Sequence, residues 1–169
     1  AFETFQISSS GFSINLSYLD MTNIVTTTFI IEKLEEFNVG PWVIFEILES
    51  DGIENYEAIA KFIDQVKSYG AKIAIDDFGA GYSNFERLTE LRVDFIKIDG
   101  SLIKNIHQNE ETKIIVKTIV NFAKELNIKT IAEYVHSNEV LMCVNEIGID
   151  YAQGFYIGKP HPELPTNAQ

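Results

Sequence analysis

Two adjacent carboxylates, Asp76 and Asp77, end the apolar run Lys72-Ile73-Ala74-Ile75 and lead into the turn Phe78-Gly79-Ala80-Gly81-Tyr82-Ser83. Ile73 and Ile75 alternate with small or polar neighbours as a buried strand would, and the glycines permit backbone angles that other residues resist. Like charges side by side repel unless a cation lies between them, so the pair points to a divalent metal. The plainer use of the same residues is helix capping or turn formation.

The elements that must position this pair alternate between strand and helix. Strands are expected over 12–16, 42–48, 72–76, 94–98, 128–132 and 150–153. Between them, Asp20 and Thr22 can cap a helix carrying Ile24, Phe29, Ile31, Leu34 and Phe37. Ile59, Phe62, Ile63 and Val66 recur at helical spacing before Gly70, a short helix covers 84–91, and 110–126 is the clearest helix. Ser137 can cap a last helix that stops at Gly148. The run from Trp42 to Glu49 is apolar enough that both faces of its strand should be buried. Such alternation predicts βαβ units and a parallel sheet.

Each expected strand carries a polar residue at or near its C-terminal end: Asn15, Glu46, Asp76 with Asp77, Lys97, Glu133 and Gln153. In a (β/α)₈ barrel these ends converge on one mouth, whereas a flat doubly wound sheet would spread them along a line. Glu46, Asp76, Asp77 and Glu133 with the Asn15 carbonyl are hard oxygen ligands that suit Mg²⁺, Mn²⁺ or Ca²⁺. Two such ions bridged by one Asp are a standard solution for phosphodiester hydrolysis. Lys97 could hold the attacking water or balance developing negative charge, and Gln153 suits the polar edge of a ligand. Alternatively, Glu46 and Glu133 salt-bridge Lys97, and Asn15 and Gln153 cap loops.

A chain of 169 residues, 46% hydrophobic, can bury the core of one domain. A net charge of -12 with only 13 Lys and Arg argues against a DNA or RNA polymer as partner, so an anionic ligand needs metal ions to mediate contact. The single Cys143 excludes an internal disulfide and is expected to pack in the core, which fits a reducing compartment. No apolar run approaches the roughly 18 residues of a membrane span, and no leader pattern opens the chain, so a cytoplasmic location is expected. Residues 161–169 have no period and are expected to form a loose tail.

Glu46-Ile47-Leu48-Glu49-Ser50, Asp76-Asp77-Phe78-Gly79-Ala80-Gly81-Tyr82-Ser83, Asp94-Phe95-Ile96-Lys97-Ile98-Asp99, Ala132-Glu133 and Gln153-Gly154 look like successive motifs of the EAL domain, in order and at matching spacing. Asn15-Leu16-Ser17 resembles that family's Asn-Leu-Ser. The resemblance implies a TIM-like (β/α)₈ barrel of the EAL type, incomplete at about six of eight βα units. It implies an EAL domain over 1–160, N-terminally truncated because the sequence starts downstream of the Glu-Ala-Leu signature.

The activity implied is that of a cyclic di-GMP phosphodiesterase, giving linear pGpG with two Mg²⁺ or Mn²⁺ ions per site in bacterial second-messenger signalling. Carried over, Asn15, Glu46, Asp76, Asp77 and Glu133 would be metal ligands, with Asp76 bridging. Lys97 would contact the catalytic water, Glu133 would share in proton transfer, and Gln153 would lie near ligand or metal-bound water. Glu49 would anchor the Phe78–Ser83 loop. Tyr134 stands where the family usually has Gly. His136 stands where it has a second Glu, which passes a second-shell or metal role to an imidazole. An incomplete barrel implies a homo-oligomer or a place in a longer multidomain regulator. The alternative is a degenerate or truncated EAL module that binds cyclic di-GMP or a protein partner without catalysis.

Overall fold

Six strands form one sheet whose spatial order is the chain order: β1 (Phe12–Leu16), β2 (Val43–Leu48), β3 (Lys72–Phe78), β4 (Phe95–Ile98), β5 (Lys129–Ala132) and β6 (Tyr151–Ala152). Every neighbouring pair is parallel. The computed structural model describes residues 1–5, 11–48, 56–81 and 85–160. Parallel neighbours cannot be joined by a tight turn, so the chain crosses back through helices. These are α1 (Phe2–Phe5), α2 (Tyr18–Thr22), α3 (Ile24–Phe37), α4 (Tyr56–Ser68), α5 (Phe85–Glu90), α6 (Gly100–Ile103), α7 (Glu110–Glu125) and α8 (Asn138–Ile147). No helix among the described residues is long and apolar enough to cross a membrane.

Alternation along each strand sends one set of side chains to the helices and the other to the opposite face. Val43, Phe45 and Ile47 of β2, Ile73 and Ile75 of β3, and Ile96 and Ile98 of β4 are buried in one core. Ile59, Phe62, Ile63 and Val66 of α4 and Val116, Ile119 and Val120 of α7 belong to the same core. Ring contacts stitch the layers, with Phe45 at 6.2 Å from Phe62 and Phe85 at 5.3 Å from Phe78 and 4.7 Å from Phe122. Each fully buried large side chain of this kind contributes about 1.5–3 kcal/mol. Cys143 lies within the core, as expected.

The second face of β2 departs from the sequence expectation of double burial. Ile44 and Glu46 are half-buried and Leu48 is exposed. Apolarity of the run foretold the helix-facing side, but the opposite face carries the polar residues of the strand ends. The cap assignments also shift. Asp20 belongs to a capping box with Ser17 that starts α2, while the Asn23 side-chain oxygen Oδ1 accepts from the N–H groups of Val25 and Thr26 and starts α3. Asn38 then ends α3 in the left-handed conformation. Gly70 and Gly148 close α4 and α8 with positive φ, as the sequence suggests.

At the end of the sheet away from the acidic residues, Asp150 ties β5 to the start of β6. Its Oδ2 accepts from the N–H of Thr130 at 2.9 Å and from Thr130 Oγ1 at 3.0 Å, and its Oδ1 meets Lys129 Nζ at 2.6 Å. Burial opposes its charge, but these donors win and hold the carboxyl below the usual range. A depressed pKa means that the stabilisation is complete above the unfolded-state value and fades as pH falls through the folded one. Asp150→Asn is expected to cost about 1–2 kcal/mol near neutral pH. The gap in thermal midpoint between variant and parent should narrow on titration toward pH 3.

Candidate metal centre

Lys97 organises the polar end of the sheet. It sits inside β4, only 5% exposed, on the face opposite Ile96 and Ile98. Its Nζ donates to Asp76 Oδ1 at 2.7 Å and to Glu46 Oε2 at 2.8 Å, and lies 3.0 Å from Glu133 Oε1. The partners come from β3, from β2, and from the residue following β5. Gln153, just past β6, donates from Nε2 to the same Glu133 Oε1 at 3.3 Å. Asn15 on β1 stands in register with Glu46. Five of the six strand ends singled out in the sequence therefore meet through side-chain contacts, and the sixth is their neighbour in the sheet.

Strands two apart in a flat sheet lie roughly 10 Å from each other. Even so, oxygens of Asp76, Asp77 and Glu133 approach within 4.8 Å of one another, leaning together across β4. Asp77 reaches this cluster through a left-handed backbone, φ 55°, where the β3–β4 register shifts between Ile75 and Phe78. An irregularity of this kind re-aims a side chain that regular pleating would send to the other face. The Asp77 N–H donates to Asp76 Oδ1 at 3.1 Å.

The electrostatics show how far one lysine falls short. Burial alone would favour the neutral amine of Lys97, yet the hydrogen bonds it donates to Asp76, Glu46 and Glu133 hold its ammonium well above the usual lysine range. Burial pushes the Glu133 carboxyl up; Lys97 opposes this, while Asp76 and Asp77 add to it. Burial likewise pushes Asp77 up, reinforced by the charges of Asp76 and Asp99 and by a hydrogen bond with Asp99. Four carboxylates around one ammonium leave an excess of negative charge that Lys97 alone does not balance. A divalent cation relieves it better, and the hard all-oxygen donor set of Asp76, Asp77 and Glu133 fits Mg²⁺, Mn²⁺ or Ca²⁺.

Beside the cluster lies a cavity of about 400 Å³ lined by Asp99, Gly100, Glu133, Tyr134, His136, Gln153, Gly154 and Phe155. Gly154 permits a close crossing here: a Cβ on it would stand 2.3 Å from the Val135 carbonyl oxygen. His136 turns away from the carboxylates. Its Nε2 pairs with the Lys104 carbonyl at 2.8 Å, so the proton sits on that nitrogen and is donated there. Glu49, the expected loop anchor, lies outside the described residues, as do Tyr82 and Ser83 of the loop and the 161–169 tail.

Asp99, which the residue pattern does not single out, follows β4 and caps α6, accepting from the Ser101 N–H at 2.9 Å, and it contacts Asp77. An Asp followed two residues later by Ser, immediately after a strand, was the available signal for that cap.

Comparison with known proteins supplies a family. The EAL domain family matches residues 2–160. The chain is 39% identical over 152 residues to the cyclic di-GMP phosphodiesterase PdeA of Borreliella burgdorferi, covering 89% of this chain and 23% of that protein. Among solved structures, PaMucR phosphodiesterase in complex with c-di-GMP matches at a TM-score of 0.86 and 27% identity, over 95% of this chain and 73% of that one. The manganese and cyclic di-GMP complex of Klebsiella pneumoniae BlrP1 matches at 0.80 and 28% identity, over 90% and 40%. The chain spans less than a quarter of the length of the first curated relatives it matches.

Proposed function

The chain belongs to the EAL domain family, and from that premise we propose that it hydrolyses the phosphodiester bond of cyclic di-GMP to linear pGpG with Mg²⁺ or Mn²⁺, two ions per site. The observation that carries this reading is the Lys97-centred cluster, in which Glu46, Asp76 and Glu133 surround one buried ammonium and Asp77 joins Asp76 and Glu133 within 4.8 Å. Asp76, Asp77 and Glu133, with Glu46 and Asn15 beside them, would hold the ions. Bound there, such ions supply Lewis acidity and lower the pKa of a coordinated water.

The chain's own residues do the rest. Lys97, fixed by its carboxylate partners, holds positive charge where an attacking oxygen or a developing anion needs it. Glu133, whose carboxyl is pushed up by burial, is suited to take and return a proton. Gln153 orients Glu133 through its amide. The remaining carboxylates keep an anionic substrate out unless cations are present, which makes binding metal-dependent.

A second reading keeps the fold and drops turnover: an EAL module that binds cyclic di-GMP or a protein partner. It is favoured by the pairing of His136 with Lys104 rather than with the carboxylates. Because an incomplete barrel leaves strand edges and apolar surface to cover, and the chain matches only a fraction of each relative's length, we also propose an oligomer or a longer multidomain regulator as its setting. Incubating purified chain with cyclic di-GMP and Mn²⁺, and resolving products by ion-pair chromatography, separates the readings. Metal-dependent appearance of pGpG supports hydrolysis, whereas measurable binding with no product supports the second reading.

A further inference from the structure

Tyr134 has a backbone that tyrosine rarely adopts. Its φ of 55° lies in the left-handed region, where side chains other than Gly, Asn and Asp are uncommon. Such a conformation persists only where surrounding contacts enforce it, and these outliers gather at ligand sites. The enforcing contacts are visible. Gly100 is bare where Tyr134 seats, since a Cβ there would stand 2.8 Å from the Tyr134 Cβ. Behind the ring, His136 packs edge-on at 5.6 Å, and His136 is itself pinned through Nε2 to the Lys104 carbonyl.

The result is a braced aromatic ring that stays 60% exposed, on the wall of the cavity that Glu133 and Gln153 also line. Phe155, 70% exposed, lines the same cavity. Two exposed aromatic rings on one cavity beside carboxylates define what can enter. The acidic end repels a phosphate until cations are present, so affinity that the carboxylates do not oppose must come from an uncharged, planar part of the ligand. Stacking on an aromatic face supplies that for a nucleobase. The Asp99 carboxylate and the Gln153 amide on the same cavity offer polar edges suited to the N–H groups of guanine.

We propose that Tyr134, braced by His136, is the stacking platform for one guanine of the bound cyclic dinucleotide, with Phe155 lining the same pocket. This rests on the cyclic di-GMP reading above and assigns His136 to positioning Tyr134 rather than to a metal.

The test is calorimetric binding of cyclic di-GMP to the full chain with Ca²⁺ present, alongside NMR. Tyr134→Ala and Tyr134→Gly should each weaken binding roughly tenfold, whereas Tyr134→Phe should stay within about twofold. Glycine suits the local φ, so its variant keeps the fold and isolates loss of the ring. His136→Ala should weaken binding less than Tyr134→Ala. Guanine H8 should show a cross-relaxation contact to the Tyr134 ring protons in the parent. Unchanged affinity in the Ala and Gly variants overturns the proposal, as does a Phe variant as weak as Ala, which would make the hydroxyl the contact. Absence of binding by the unsubstituted chain that still takes up Mn²⁺ is a different result, and it overturns the cyclic di-GMP reading beneath the proposal.

Discussion

Lys97→Met should destabilise the metal-free chain by about 3 kcal/mol near neutral pH, because three carboxylates lose the one ammonium they share in a buried setting. Lys97 carries a pKa raised above its unfolded value, so its stabilisation is fully present below the unfolded pKa. It is lost only as pH rises through the folded value, far into the alkaline range. The variant should therefore show its deficit across all ordinary buffers. Glu133 carries the opposite dependence for an acid: raised in the fold, it favours the folded state at low pH and less so as pH rises. In the variant, with no ammonium to oppose that rise, mild acid should recover part of the loss. Denaturant titrations of parent and variant at pH 7 and pH 5 measure both effects. Mn²⁺ should also recover stability in the variant, and by more than in the parent, since the ion takes over a charge-balancing duty that the lysine otherwise shares. Under the proposed hydrolysis turnover should stay lost, because Lys97 would supply the positive charge at the reacting oxygen.

Asp76→Asn should have the reverse signature. Asp76 Oδ1 takes both the Lys97 ammonium and the Asp77 N–H, so its oxygens lie at the centre of the cluster. The amide keeps the shape and removes one of several repelling charges, and Lys97 retains Glu46 and Glu133. Metal-free stability should change by no more than about 1 kcal/mol. Conversion of cyclic di-GMP should fall by at least about 10³-fold with loss of Mn²⁺ affinity, the scale expected when a group that organises transition-state charge is removed. Together the two substitutions separate charge balance from metal holding: one harms the fold more than it harms ion uptake, and the other spares the fold while removing the ion.

Much of this arrangement is legible in the chain. The six strands fall within two residues of their expected bounds, with β3 continuing through Asp77 to Phe78 and β6 one residue shorter at each end. Apolar alternation and glycine punctuation locate strands because they report directly on burial and chain reversal. The convergence of Glu46, Asp76, Lys97 and Glu133 is also foreseeable, since parallel strands in sequential order put their C-terminal ends on one side. The salt bridge that stood as the plain alternative for Glu46 and Glu133 is present, yet it does not neutralise the cluster. Local spacing does not encode the left-handed turns at Asp77 and Tyr134, which tertiary contacts enforce. The double use of Asp99 as helix cap and Asp77 partner depends on the register shift in β3, and no residue pattern announces that shift. His136 shows the limit of reading a role from position, because its ring nitrogen is committed to a backbone carbonyl thirty-two residues earlier in the chain.

The carboxylate cluster around Lys97 should act as a divalent-cation centre. Titrating metal-free chain with Mn²⁺, with free ion followed by electron paramagnetic resonance, tests this directly. The expected result is saturable uptake of about two ions per chain, abolished by Asp76→Asn. Uptake that does not saturate, or that survives Asp76→Asn unchanged, would contradict it.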